Sequence, residues 1–194
     1  MNLTAIDFEA SCLPGHGRSF PIEVGIADER GARAWLIRPR PEWHGWGWTT
    51  QAERLHGIDR AALERSGLPA TQVAVELAEA VRGRRLVADS ALDEPWFALL
   101  MAPPAGTGLP PIAHVGDVMA GLGTTDAEIE AACSALAARP FRRHRAAEDA
   151  RWLHGLLTLL SAAAASRATA TTNRPLFAWD APLPHVAAGA PADG

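Results

Sequence analysis

Two carboxylates on one face of an apolar strand call for an explanation. The stretch LTAIDFEAS (3–11) sets Asp7 and Glu9 two residues apart, interleaved with Ile6 and Phe8. Side chains two apart on a strand project to the same side, with Cβ atoms roughly 6–7 Å apart. Two further acids break apolar patterns on helical segments. Asp93 is followed at i+3, i+4 and i+7 by Trp96, Phe97 and Leu100. Asp149 is followed in the same way by Trp152, Leu153, Leu156, Leu157 and Leu160. Each acid therefore starts a core-facing stripe near a helix start, where an aspartate also serves as an N-cap. Four carboxylates converging in a partly buried place would repel one another and lose solvation. Divalent cations relieve both costs, and oxygen ligands suit Mg²⁺ or Mn²⁺. Two such ions side by side are an arrangement for in-line displacement at a phosphate. His144, five residues before Asp149 in HRAAED, is placed to take a proton from water near neutral pH. Taken alone, it reads sooner as a surface histidine among arginines; the acid quartet reverses that preference.

The elements that must position these groups follow from periodicity and punctuation. Segments 2–8, 22–29 and 33–39 have β character and short connections, which predicts an antiparallel meander. Residues 40–51 read as a Trp- and Gly-rich loop, followed by helices at about 59–65 and 70–82. RLVA (85–88) reads as a strand, DEPWFALLM as a helix and IAHV (112–115) as a fifth strand. Helices near 126–138 and from about Asp149 complete the pattern. A meander followed by alternating strands and helices predicts an α/β fold with a five-stranded mixed sheet flanked by helices. The domain is expected over 1–165. An Ala/Thr/Pro-rich tail is expected over 166–194, with Phe177 and Trp179 as its anchors if it docks.

These residues, in this order, resemble the DEDDh family of 3′–5′ exonucleases, which has the ribonuclease H-like fold. Asp7-Phe8-Glu9 is similar to the family's opening Asp-x-Glu. ADSALDEPWF is similar to its second motif, with Asp93 as the match. HRAAEDA is similar to its His-x4-Asp, matching His144 and Asp149. A family-like HGI stands at His56–Ile58. The chain departs from the common pattern at Asp89, where many relatives have Asn, at Leu92 (Phe) and at Ala10 (often Thr). The resemblance implies that Asp7, Glu9, Asp93 and Asp149 hold two divalent ions, Mg²⁺ or Mn²⁺, with His144 as general base. Nucleoside 5′-monophosphates would leave the 3′ ends of single-stranded DNA or RNA. It also places Phe8, Ala10 and His56 at the substrate. An oligoribonuclease-like activity on short RNAs, or a catalytically silent binding module of this fold, are the alternatives.

Composition bounds the rest. With 194 residues, 48% hydrophobic and 21% charged, the chain reads as one globular domain. The net charge of −4 argues against coating nucleic acid by bulk charge. Charge for a strand is concentrated instead in Arg139, Arg142, Arg143 and Arg145 around His144, expected to meet phosphates. RGRR (82–85) reads as a solvated run. Trp43, Trp46 and Trp48 read either as base-stacking rings or as a loop folded over the sheet edge. His114 and Asp117 are outside candidates for the site. Two cysteines, no apolar run of membrane length and no secretory pattern lead to the expectation of a cytoplasmic protein. A homodimer is left open.

Overall fold

A computed structural model describes residues 2–102, 110–138 and 140–172. Three strands open the chain: β1 (Leu3–Ala10), β2 (Pro21–Asp28) and β3 (Gly31–Arg38). They form the expected meander, with β1 and β2 antiparallel and Asp7 opposite Gly25. The ladder shifts register between Glu9 and Ala10. Two short helices follow, α1 (Thr50–His56) and α2 (Arg60–Ser66). Thr49 caps the first by accepting the Ala52 N–H at 3.2 Å. The sequence reading missed α1. At seven residues it is too short to show a periodic stripe.

The sheet has six strands, not five. β4 (Leu68–Pro69) adds a two-residue parallel edge to β3. Beyond it come α3 (Ala70–Ala80), β5 (Arg85–Ala88), α4 (Asp93–Met101) and β6 (Ile112–His114). The order is β4-β3-β2-β1-β5-β6, with β5 and β6 parallel to β1. The chain closes with α5 (Val115–Leu122), α6 (Asp126–Ala137) and α7 (Ala146–Thr172). α7 runs past residue 165, where the sequence reading began a tail. Arg167 ties it to Glu128 of α6 and to the carbonyl of Leu122. Phe177, Trp179 and Arg139 lie outside the described residues.

The period-2 pattern of β1 sorts its side chains between two cores. Ile6, Phe8 and Ala10 join the core with Val73, Leu77, Phe97 and Leu100 of α3 and α4. Leu3 and Ala5 join Ala150, Leu153 and Leu157 of α7. Asp7 and Glu9 belong to this second face, so α7 delivers its own acid to theirs. α7 comes so near the sheet that a Cβ on Gly25 would stand 2.1 Å from the Ala146 carbonyl carbon. Only glycine allows that approach. At the far end of β1, Arg84 donates to Thr4 Oγ1 at 2.8 Å and pairs with Asp28 and Glu29. It is a tie between strand ends, which corrects its reading as part of a solvated run. Among the described residues, no helix is long and apolar enough to cross a membrane.

Candidate active site

The sheet centre and two helix starts bring the acids together. One carboxylate oxygen from each of Asp7, Glu9 and Asp149 lies within 4.8 Å of the other two. A second set, Asp7, Asp89 and Asp93, meets the same limit. Asp7 is common to both. Crowding and burial hold protons on these groups. Asp7 is pushed up to about 10, chiefly by burial and then by Asp93, Glu9, Asp149 and Asp89. Burial, then Asp149 and Glu23, raises Glu9 to about 8, with Arg145 opposing. Asp93 rises to about 7 through burial and Asp89. Asp149 is also raised by burial, partly offset by backbone N–H groups of Arg145 and His144 and by the His144 and Arg143 charges.

The alternative role of these acids as helix caps fails at Asp93. No side chain caps α4, and the 1%-exposed Asp93 leaves Oδ2 without a hydrogen-bond partner. Asp149 does accept the Arg145 N–H at 3.0 Å. An all-oxygen donor set, a shared carboxylate and an orphaned buried oxygen fit hard divalent cations.

His144 lies in the turn before α7 with φ 61°, a left-handed conformation that is uncommon outside glycine. The next residue, Arg145, donates its N–H to Asp149 at 3.0 Å, so the turn lies beside the cluster. Arg142 and Arg143 are exposed there. Arg142 reaches toward Gly57, and Arg143 lines a cavity with Asp89, Asp149, Phe141 and Trp152. The Arg145 guanidinium holds Glu23 through two bonds, at 2.5 and 3.1 Å, a partner in the sheet that the sequence reading did not foresee.

On the other side of the acids, Phe8, Ala10, His56 and Asp93 line a cavity of about 210 Å³ with Leu13, Leu55 and Trp96. His56 is buried, and its Nδ1 accepts the Ile58 N–H at 3.0 Å, leaving the proton on Nε2. Burial pulls its pKa down. The tryptophans are structural. Trp43 is buried against Phe20, and arginines 18, 40 and 60 lie over Trp46, Trp43 and Trp48. Each tryptophan therefore has an arginine over its ring.

Sequence reasoning preferred Asp93 to Asp89 as the candidate ligand, whereas the second acid set includes both. His114 does not join the acids. Its Nδ1 accepts the Gly116 N–H, so Nε2 donates to the Asp89 carbonyl at 3.1 Å and steadies that turn. Asp117 lies in the first turn of α5, outside both acid sets. Glu23 and Gly25 were missed. Glu23 could have been noticed as an acid inside the apolar run of PIEVGIAD, but its partner stands 122 residues away.

No protein-family model and no curated protein matches the sequence. Solved structures do match. Exonuclease I of Methylocaldum szegediense superposes with TM-score 0.59 at 13% identity, over 81% of this chain and 39% of that one. E. coli Exonuclease I in complex with a dT13 oligonucleotide gives 0.61 at 12%, over 87% and 42%. The RNase domain of yeast Pop2 gives 0.52 at 14%, over 87% and 78%. The chain thus spans about two fifths of the exonuclease I structures and most of the Pop2 domain. A mixed sheet in this order, flanked by helices and matched by these structures, gives the chain the ribonuclease H-like fold of exonucleases.

Proposed function

We propose that the protein is a metal-dependent 3′–5′ exonuclease, releasing nucleoside 5′-monophosphates from single-stranded DNA or RNA. The observation that carries this reading is Asp7 shared between two carboxylate triads. Asp7, Glu9 and Asp149 would hold one divalent ion, and Asp7, Asp89 and Asp93 the other, Mg²⁺ or Mn²⁺. Bound there, the ions would supply Lewis-acid activation of water and stabilisation of the leaving 3′-oxygen. The chain's own groups do the rest. The cavity along Phe8, Ala10 and His56 receives the terminal nucleoside and orients its phosphate toward Asp7. His144 takes the proton of the attacking water. Arg142 and Arg143 hold the strand by its backbone without reading sequence.

The test is release of mononucleotides from 3′- and 5′-labelled DNA and RNA oligomers with Mn²⁺, with and without chelator. Shortening from the 3′ end is expected. Asp7→Asn should abolish it, and His144→Ala should lower kcat by about 10²–10⁴-fold, the range of general-base catalysis. Asp7→Asn protein with undiminished hydrolysis would overturn the assignment. A wild-type chain that binds oligomers but never cleaves them would make it a silent binding module.

A further inference from the structure

We propose that Glu23 is a positioning residue that locks the turn carrying His144 over the acid cluster; this rests on the exonuclease reading above. Glu23 is a carboxylate in the middle of the sheet, 1% exposed and directly opposite Glu9. A buried charge beside another acid persists only when paired and fully hydrogen-bonded. Glu23 receives three bonds, all from the segment that begins α7. Arg145 donates twice, from Nη2 at 2.5 Å and Nε at 3.1 Å. The Ala146 N–H donates at 3.0 Å, where a helix start favours negative charge.

The residue immediately before this clamp is His144. A non-glycine residue at φ 61° is strained and lasts only where its surroundings over-determine it. Here they do. The Arg145 N–H is held by Asp149 and the Ala146 N–H by Glu23. β2 supplies both the pull and the room, since Glu23 and Gly25 share a face and Ala146 rests on the glycine. His144 is therefore anchored on its C-terminal side to a carboxylate that itself is closed to solvent and touches no substrate.

Glu23→Gln keeps the acceptor for Ala146 and the size of the side chain, but removes the charge that grips Arg145. With Mn²⁺ and a labelled oligomer, kcat should fall about 10–100-fold, as for lost supporting bonds at a site, while KM stays within about threefold. In a His144→Ala background the same substitution should change kcat by less than about threefold, because no imidazole remains to be placed. Amide hydrogen exchange without metal should quicken over residues 141–149 and stay unchanged elsewhere. A wild-type kcat, a loss confined to KM, a loss carried undiminished into the His144→Ala background, or unchanged exchange would each overturn the proposal. Should Glu23→Gln not fold, Arg145→Lys keeps the charge but loses the two-pronged fork, and the same results are expected of it. A wild-type chain without hydrolysis refutes the exonuclease reading instead, and the exchange measurement still decides whether Glu23 pins the turn.

Discussion

Replacing Asp7 by Asn should make the metal-free protein more stable while ending its proposed activity. The folded chain holds a proton on Asp7 up to about pH 10, against 3.8 for a free aspartate. Because the native state binds a proton that the unfolded chain releases, stability declines as pH rises from about 4 toward 10. At pH 8 the gap is about four pH units, or a ceiling of about 6 kcal/mol at 1.4 kcal/mol per unit. Asp7 is partly exposed and shares the proton with Glu9 and Asp93, so a gain of about 2–5 kcal/mol is expected from Asn. At pH 5 the same arithmetic leaves a ceiling of about 2 kcal/mol. For a chain of this size, each kcal/mol moves Tm by about 2–4 °C. Thermal melts in chelator should therefore show Asp7→Asn rising by on the order of 10 °C at pH 8 and by a few degrees at pH 5. Equal or lower Tm for the variant at pH 8 would refute the claim that burial and the neighbouring carboxylates hold a proton on Asp7 in the folded chain.

Divalent ions should act in the opposite sense on the wild type: at 100 times Kd, one bound ion adds about 2.7 kcal/mol, so Mn²⁺ should raise Tm by about 5–10 °C at pH 8. At pH 5 the gain should shrink, because Asp7, Glu9 and Asp93 are protonated there; thermal melts across that range check it. Gly25→Ala should destabilise the fold by more than about 2 kcal/mol in denaturant titration, because its methyl meets the Ala146 backbone rather than a movable side chain. Arg143→Ala should raise KM for oligomers and flatten its dependence on salt with kcat little changed, as kinetics at several ionic strengths would show.

Much of the site was legible because its acids break local patterns. Asp7 and Glu9 interrupt a strand's alternation, and Asp93 and Asp149 open apolar stripes, so each stands out within a few residues. Asp89 carries no such mark. It follows a strand in an exposed turn, where aspartate is ordinary, and its place in the cluster comes from three-dimensional proximity and the bond from His114. The Glu23–Arg145 clamp was hidden for a related reason: an arginine between a histidine and a helix reads as a surface cation until its distant partner is seen. The seven-residue α1 and the two-residue β4 were lost to their length. The end of α7 was misread through composition, since alanine taken as a sign of a tail is also the best helix former.

The spread of the acids along the chain has a consequence for synthesis. β1 and β2 leave the ribosome early and can pair at once, carrying Asp7 and Glu9 with them. A nascent chain that has reached α4 also holds Asp89 and Asp93. It still lacks His144 and Asp149, along with the helix that covers that face of the sheet. Until α7 emerges, the set of Asp7, Asp89 and Asp93 can form, but the set with Asp149 and the turn that carries His144 cannot. The acid cluster is thus completed late, and chains that stop before α7 carry the fold's first strands without its second half.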